Sequence, residues 1–268
     1  MGVLNVTPDS FSDGGRFLDP DAAIAHGCEL ADEGAAIIDV GGESTRPGAA
    51  PVAPAEQRRR VGPVIEALAR ERPGVTLSID TASAEVAEAA LAAGARMVND
   101  VTALRGDARM AAVVADSQVE VCLMHMQGDP RTMQHAPAYR DVVVQVRDFL
   151  AERIEYAAAH GIPTERVVLD PGIGFGKTVE HNLALLAHLD ALAPLGAPLL
   201  VGTSRKSFLG RLIADARGST EPVPMQARLP GTIATCVLAL AHGASVFRVH
   251  DVGPVRDALA VAAATLRA

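Results

Sequence analysis

The sequence contains no tryptophan, and aromatic residues make up only 3% of it. Proteins that hold single-stranded nucleic acid stack its bases on aromatic side chains, so we do not expect such a surface here. Positive charge is also lacking, because the formal net charge is −8 and the basic residues are scattered. The net negative charge therefore argues against a nucleic-acid partner, although it still allows a local basic pocket. No long charge-free apolar run and no signal peptide are visible, so we expect a cytoplasmic protein without a membrane partner.

Cysteine is scarce. The three thiols, Cys28, Cys122 and Cys236, lie in apolar segments and form no Cys-x-x-Cys pair. This pattern predicts buried thiols in a reducing compartment, in preference to a zinc site or a disulfide framework.

Lysine is almost absent. Of the 24 basic residues only Lys177 and Lys206 are lysines, in the segments GFGKT and GTSRKSF. Compositional bias with two accidental survivors is one explanation. The other is that each position needs a compact ammonium, which the planar guanidinium of arginine does not reproduce. We expect both lysines to be needed.

A nucleotide-binding P-loop is absent, although residues 169–178, LDPGIGFGKT, come close to one. The motif needs a glycine, four residues and then Gly-Lys-Ser/Thr, and the first glycine position is occupied here by Pro171. Proline lacks the backbone amide that such a loop turns toward phosphate. We interpret the segment as a loop between a strand and a helix in which Asp170 matters more than the lysine. The residues alone leave the role of Lys177 open, with contacts to an aspartate or to carbonyls as the options.

Short apolar runs alternate with longer helical patterns along the 268 residues. The runs cover 2–5, 36–40, 75–80, 96–100, 119–125, 166–170, 198–204 and 245–250. They are rich in Val, Ile and Leu without alternation, which is typical of parallel strands buried on both faces. Helices are predicted from Asp19-Pro20 to Gly34 and over 55–71, 83–93, 107–116, 141–160, 179–193, 232–242 and 251–267.

Eight strand–helix units without a linker predict the α/β class and a single (β/α)8 TIM barrel over residues 1–268. A doubly wound sheet is the alternative. It usually opens with a glycine-rich dinucleotide turn, which the first turn, NVTPDSFSDGG, does not contain.

Almost every predicted strand ends in polar residues. These are Asn5, Asp39, Asp80, Asn99, Asp100, His125, Asp170, Ser204, Arg248 and His250. In a barrel they reach the C-terminal rim, where barrel enzymes place their active sites. Capping of the following helices explains single members, such as Asp80 or Asp170, equally well. Asp80, Asn99 and Asp170 together suit a ligand with a planar, guanidine-like edge, such as an aminopyrimidinone.

The other part of the rim is cationic. Lys206 follows the seventh strand, and Arg248 and His250 end the eighth, where barrels often bind phosphate. The segment GTSRKSFLG also predicts the start of a short extra helix whose amides attract an anion. Asn5 lies beside this sector, where it could hold a Mg²⁺ that accompanies a diphosphate. The alternative is a solvated basic loop.

Two long loops follow the first and second strands and carry Asp9, Asp13, Glu43 and Arg46. Their Gly, Pro, Ser and Asp content predicts mobility, and loops of this kind can close over a substrate and exclude water. The alternative is that they are only long connections.

Eight segments along the chain together resemble the dihydropteroate synthase family, which sulfonamides inhibit. They are MGVLNVTPDSFSDGG, DVGGESTRPGA, SIDT, VNDV, MHMQGDPRTMQ, DPGIGFGKT, GTSRKSF and FRVHDV. The resemblance implies a cytoplasmic TIM-barrel transferase of folate biosynthesis. It would join 6-hydroxymethyl-7,8-dihydropterin diphosphate to p-aminobenzoate and release pyrophosphate. The family usually forms a homodimer through helices near the chain end.

The resemblance also implies roles for single residues. The pterin ring would be held by Asp80, Asn99, Asp170 and Lys206, in a pocket lined by Met124 and Phe175. The diphosphate and Mg²⁺ would be held by Asn5, Arg248 and His250. The p-aminobenzoate would contact Thr45, Pro47 and Ser207, and the catalytic site would be completed by Asp13 and Arg46 together with Lys206. Family members commonly carry a leading segment that helps to close the barrel bottom, whereas this sequence begins almost at the first strand. We expect either that the start is set late or that the bottom is covered differently, with a larger effect on stability than on chemistry.

Two other functions are alternatives to the synthase. A methyltetrahydrofolate-dependent corrinoid methyltransferase shares the barrel and the Asp-Asn-Asp pocket but has no need of the STRPG, SRKSF and RVHD segments. A non-catalytic pterin-binding paralogue would be expected to lose loop or diphosphate residues, which are all present.

Overall fold

The structure is a computed structural model, and it describes residues 1–7, 20–44, 49–129 and 132–268. Eight parallel strands form one sheet in chain order. They are β1 (Gly2–Asn5), β2 (Ile37–Gly41), β3 (Thr76–Asp80), β4 (Met97–Asp100), β5 (Glu120–Met124), β6 (Val167–Asp170), β7 (Leu199–Val201) and β8 (Ala244–Phe247). Every strand matches one of the predicted apolar runs.

The sheet closes on itself through Val249, just after β8. The Val3 amide donates to the Val249 carbonyl, the Val249 amide donates to the Met1 carbonyl, and both bonds are 2.9 Å. Gly2 and Val249 form a parallel bridge. The predicted barrel is therefore confirmed.

Helices follow the strands on the outside of the barrel. They are α1 (Pro20–Asp32), α2 (Pro54–Glu71), α3 (Ala84–Ala93), α4 (Met110–Ser117), α5 (Val142–Ala159), α6 (Val179–Ala187), α7 (Ser207–Ala216), α8 (Leu229–Ala241) and α9 (Val252–Leu266). The predicted extra helix after the seventh strand is α7, which runs for ten residues. In the described part of the chain, no helix combines the length and the apolarity that a transmembrane span requires.

Three of the differences between predicted and observed boundaries have a clear physical cause. The run 198–204 ends as a strand at Val201, because residues 203–206 form a turn in which the Lys206 amide donates to the Thr203 carbonyl at 3.2 Å. The helix predicted over 179–193 ends at Ala187 and continues as a 3-10 helix, Leu189–Leu195, since Pro194 would clash within a continuous α-helix. Helix α8 begins at Leu229, earlier than predicted, because a proline is tolerated in its first turn.

The core has an outer and an inner part. The outer part fills the space between strands and helices with residues such as Leu4, Ile38 and Ile79, all fully buried. The inner part plugs the barrel interior and is built from Met97, Cys122, Val168 and Leu200 of β4 to β7. Because apolar side chains fill the interior here, the strand-end polar groups line the mouth above them.

The cysteine prediction is confirmed for two of the three thiols. Cys122 and Cys236 are buried, and burial raises the pKa of both. Cys28 is only partly buried, because it lies on the outer helix α1 with its Sγ 3.5 Å from a carboxylate oxygen of Glu71. All three are free thiols.

Candidate active site

Strand register brings three of the predicted polar residues to one level of the barrel mouth. Asn5 pairs with Gly41, Gly41 with Asp80, and Asp80 with Asn99. A Cβ on Gly41 would lie only 3.5 Å from Asn5 Oδ1 and 3.6 Å from Asp80 Cβ. The glycine thus keeps the space between Asn5 and Asp80 open.

A fourth residue, Asp39 of β2, joins the two sides of the mouth. Its Oδ2 accepts from Asn99 Nδ2 at 2.9 Å and from Arg248 Nε at 2.6 Å. The Nη2 of the same arginine donates to Asp80 Oδ2 at 2.8 Å. The sequence placed Asp39 at a strand end but gave it no role, since nothing local indicates that it contacts residues of β4 and β8.

Two acceptors in this network are unsatisfied. Oδ1 of Asp39 and Oδ1 of Asp80 are buried and have no hydrogen-bond partner among the described residues. Buried polar atoms are almost always paired in folded proteins. Two unpaired carboxylate oxygens at the mouth therefore favour a ligand that brings N–H or O–H donors.

Asp80 and Asp170 hold their protons more tightly than free side chains do. Burial raises the pKa of Asp80 to about 7, with Arg248 opposing the rise and Asp39 adding to it. Burial also raises the pKa of Asp170, against the opposing effect of Lys206. Arg248 is only partly buried, with 21% of its side chain exposed, and the nearby carboxylates of Asp39 and Asp80 more than offset its desolvation and raise its pKa.

The loop after β6 orients Asp170. The Gly172 amide donates to Asp170 Oδ1 at 2.7 Å, so this oxygen is fixed from within the loop. Gly172 has a φ of +68°, and a Cβ there would lie 1.9 Å from the His125 carbonyl oxygen. The loop therefore needs glycine both for its backbone conformation and for its close packing on the end of β5.

Gly172→Ala is expected to destabilise the protein far more than Gly196→Ala. Gly196 has a similar φ of +77° but nothing within 4 Å of its Cβ position, so alanine there costs only the left-handed conformation, about 1–2 kcal/mol. At Gly172 the clash with the His125 carbonyl adds to that cost. Urea unfolding of the two variants checks this, and equal losses of stability would contradict it.

An apolar patch lies beside Asp170. Met124, which pairs with Asp170 in the register of β5 and β6, packs with Val101, Met126 and Met133, and Phe175 borders the cluster. Lys206 Nζ lies 4.6 Å from the centre of the Phe175 ring and also donates to the Ile173 carbonyl. Burial lowers the pKa of Lys206 to about 8, with Asp170 opposing the fall.

The predicted cationic residues meet across β7 and β8. A Cβ on Gly202 would lie 3.8 Å from Arg248 Cβ and 4.0 Å from Lys206 Nζ. His250 is held by Ser204, whose Oγ lies 3.0 Å from His250 Nδ1 and accepts from the His250 amide at 3.1 Å. Ser207 is exposed and begins α7, whose N-terminus has no side-chain cap. Helix amides left uncapped in this way can bind an anion.

Four predicted site residues, Asp13, Thr45, Arg46 and Pro47, lie outside the described residues. Their contacts stay predictions, as does the mobility of the two loops that carry them.

The predicted metal ligand offers a single oxygen. Among the described residues no group of three or more His, Cys, Asp or Glu side chains could hold a metal. Asn5 Oδ1 faces the gap above Gly41, and the Asn5 side chain makes no hydrogen bond to another described residue. Mg²⁺ commonly takes one or two protein oxygens and completes its shell with water and substrate phosphates. The arrangement fits that mode and not a cage built by the protein alone.

The sequence model of a family described as pterin binding enzymes matches residues 1–250, so the chain belongs to that class. The dihydropteroate synthase of Mycobacterium leprae is 50% identical over 269 residues, which cover 100% of this chain and 93% of that protein. The crystal structure of Yersinia pestis dihydropteroate synthase with a sulfonamide drug superimposes with a TM-score of 0.92 at 46% identity, covering 100% of this chain and 94% of that one. Xanthomonas albilineans dihydropteroate synthase with 4-aminobenzoic acid gives a TM-score of 0.91 at 49% identity, covering 100% and 92%. The predicted family is thereby confirmed.

Proposed function

We propose that this protein catalyses the dihydropteroate synthase reaction as a transferase of folate biosynthesis. It joins 6-hydroxymethyl-7,8-dihydropterin diphosphate to p-aminobenzoate, with 7,8-dihydropteroate and pyrophosphate as products. The observation that carries the proposal is the pair of buried, unpaired carboxylate oxygens on Asp39 and Asp80 at the barrel mouth. They supply the acceptors that the donor-rich edge of a pterin needs, in a chain whose full-length relatives are dihydropteroate synthases.

The pterin ring is bound by the carboxylates and the apolar patch together. Asp80 Oδ1 is an unused acceptor, and Asp170 accepts from Gly172 with Oδ1, which leaves its other oxygen for the ring. Asn99 contributes an amide that both donates and accepts. Met124 and Phe175 offer apolar surface for the ring face, and Lys206 contacts its polar atoms.

The diphosphate is bound on the cationic side. Asp39 and Asp80 occupy Nε and Nη2 of Arg248, and no bond from its Nη1 to a described residue is present, so Nη1 can serve an anion. Lys206, His250 and the uncapped amides of α7 add donors. Asn5 would hold the Mg²⁺, which when bound neutralises charge on the leaving diphosphate.

The reaction breaks one bond and forms another. The bond from the pterin methylene carbon to the diphosphate oxygen breaks, and its electron pair leaves with pyrophosphate. The p-aminobenzoate nitrogen bonds to the carbon, and the proton that it loses passes to the released pyrophosphate or to water. Cations around the diphosphate stabilise the leaving group, while Asp80 and Asp170 stabilise the electron-poor ring. An aniline nitrogen is already nucleophilic, so no strong base is required. Asp13 and Arg46 would complete the site, and Thr45, Pro47 and Ser207 would contact p-aminobenzoate.

Asp80 is expected to make both stability and ligand binding depend on pH. Its folded pKa of about 7 lies above the usual 3.8, so its contribution to stability is full at low pH and is lost as pH rises toward 7. Pterin affinity changes in the opposite direction, because the ionised carboxylate is the better acceptor. Asp80→Asn should flatten both profiles between pH 5 and 8.5. Melting temperatures and calorimetric pterin affinities test this against exposed Asp116→Asn, and profiles for Asp80→Asn that parallel the wild type would contradict it.

The first experiment on function measures pyrophosphate release from the pterin diphosphate and Mg²⁺, with and without p-aminobenzoate. We expect release that depends on p-aminobenzoate, with dihydropteroate identified by mass. Pterin binding without turnover would indicate the non-catalytic paralogue instead. Binding of a corrinoid partner without pyrophosphate chemistry would indicate the methyltransferase.

We further propose that the protein is a cytoplasmic homodimer. Leu238 of α8 and Val261 and Leu266 of α9 are 56%, 70% and 58% exposed, and the two helices pack side by side. Exposed apolar residues on adjacent helices favour a protein contact. Sedimentation equilibrium gives the mass that decides between monomer and dimer.

A further inference from the structure

Lys177 is a buried cation that the proposed reaction does not use. It is only 3% exposed, and no carboxylate of the described residues forms an ion pair with it. Its Nζ instead lies 2.9 Å from His125 Nδ1, 2.9 Å from the Gly172 carbonyl oxygen and 3.0 Å from that of Phe175. An ammonium has three donors, and these three atoms are its nearest acceptors, with the His125 carbonyl oxygen as a longer fourth contact at 3.4 Å. Burying the charge is costly without such partners, so this arrangement is specific.

The carbonyls that Lys177 binds belong to the turn that shapes the pterin pocket. The Phe175 amide donates to the Gly172 carbonyl at 3.0 Å, and Lys177 ties the carbonyls of both residues to one point. The Gly172 amide is the group that orients Asp170. A single ammonium thus fixes the backbone on which the Asp170 rotamer and the Phe175 ring position depend.

His125 connects this ammonium to the neighbouring strand. Burial lowers the pKa of Lys177 to about 7, with Asp170 opposing the fall. Below that pH Lys177 is an ammonium that can only donate, so His125 Nδ1 accepts and the ring is neutral with its proton on Nε2. Burial and, to a lesser extent, the charge of Lys177 together lower the pKa of His125 to about 3, which agrees with a neutral ring. The ring is held edge-on against Phe149 at 4.9 Å. Tyr139, 6.0 Å from His125, donates from its hydroxyl to the Gly176 carbonyl at 2.8 Å and supports the same loop.

We propose that Lys177, held by His125, is a positioning residue of the pterin site. It lies behind the loop of residues 171–177, does not touch the substrate, and sets the directions in which Asp170 and Phe175 face the ring. This inference rests on the proposed function, because it assumes that those two residues bind a pterin. It also gives a physical reason for lysine at 177, since the planar fork of arginine cannot direct three donors to one compact set of acceptors.

The test compares Lys177→Met with Arg166→Met. Arg166 lies at the opposite end of β6 and donates to the carbonyls of Val114 and Gly161, so its loss also removes a cation bound to backbone. Calorimetry gives the Kd of 6-hydroxymethyl-7,8-dihydropterin, and kinetics give KM for each substrate. We expect Lys177→Met to weaken pterin binding about 10–100-fold, because small displacements of binding groups have effects of this size. The KM of p-aminobenzoate should stay near normal. Arg166→Met should lower the melting temperature without changing pterin affinity.

Each result decides between the inference and its alternatives. Pterin affinity in folded Lys177→Met equal to that of the wild type would overturn the inference. Full recovery of affinity in Lys177→Arg would also overturn it, because charge alone would then suffice. If Lys177→Met does not fold, His125→Leu keeps the ammonium and removes its side-chain acceptor, and unchanged pterin affinity in that variant would overturn the role of the pair. Failure of the wild type to bind any pterin would instead overturn the proposed function.

Discussion

Arg248→Met is expected to lower kcat/KM by about 10²–10³-fold, the usual loss when a donor that stabilises developing charge is removed. Arg248 is the only described side chain that contacts both Asp39 and Asp80, at 2.6 and 2.8 Å. Its removal takes a cation from the proposed diphosphate site and leaves the carboxylates of Asp39 and Asp80, on the proposed pterin side, without it. The variant should therefore lose pterin affinity and leaving-group stabilisation together.

The same substitution is expected to cost stability, because an uncompensated buried carboxylate remains. Removing one partner of a buried ion pair typically costs about 3–5 kcal/mol. Asp80 limits this cost by taking up a proton, since its pKa is already raised to about 7 and Arg248 is what opposes a further rise. The loss of stability should thus be smaller at pH 5.5 than at pH 8.5.

Melting curves at the two pH values and kinetics at saturating Mg²⁺ check both expectations. Arg256→Met is the matched control, because Arg256 lies on α9 and pairs with Asp257 at the surface, with its side chain 54% exposed. Turnover of Arg248→Met close to that of the wild type would refute its assignment to the diphosphate site.

Asp170→Asn is expected to weaken pterin binding by about 100-fold or more. Two effects add up: a charged hydrogen bond is lost, and a donor–donor contact is created. The Gly172 amide needs an acceptor, so the asparagine must turn its Oδ1 toward the loop and its NH₂ toward the ring. The pterin edge would then meet a donor where it needs an acceptor. The change is nearly isosteric, so packing is not the cause of the loss.

Stability should change in the opposite direction to affinity. Burial raises the pKa of Asp170, which means that its ionised form is disfavoured in the folded protein. A neutral asparagine avoids that penalty, so the variant should melt at or above the wild-type temperature at pH 8. A variant that melts lower yet binds pterin normally would contradict both parts of the argument. Leu183→Ala, on the outer surface of α6, is the control variant, and we expect it to change neither pterin binding nor the mouth carboxylates.

The fold and much of the barrel mouth could be predicted from sequence, because the patterns that determine them lie within short segments of the chain. Each strand run carries its own apolar pattern, and parallel strands in chain order must bring their C-terminal ends to one rim. Asn5, Asp80, Asn99 and Asp170 could therefore be placed from sequence, and the register confirms that the first three share a level.

Contacts between distant segments could not be predicted in this way. Arg248 and Asp39 are separated by 209 residues, and their bond exists only because the barrel closes. Lys177 and His125 are separated by 52 residues, and no spacing rule indicates that a histidine would accept from a lysine. The scarcity of lysine was a compositional signal that position 177 matters, but composition cannot indicate which atoms it binds.

Closure of the barrel at Val249 also determines when, during translation, the sheet can be completed. The open edge of β1 finds its backbone partners only at a residue that the ribosome adds nearly 250 positions later. Val249 is buried in the outer core, and the side chains on either side of it, Arg248 and His250, therefore point to the other face of the strand, into the mouth. The hydrogen bonds that close the barrel thus bring Arg248 and His250, the side chains proposed to bind the diphosphate, to the mouth in the same step. A nascent chain that lacks its eighth strand has an unpaired edge and half a site, so folding and catalytic competence are completed together.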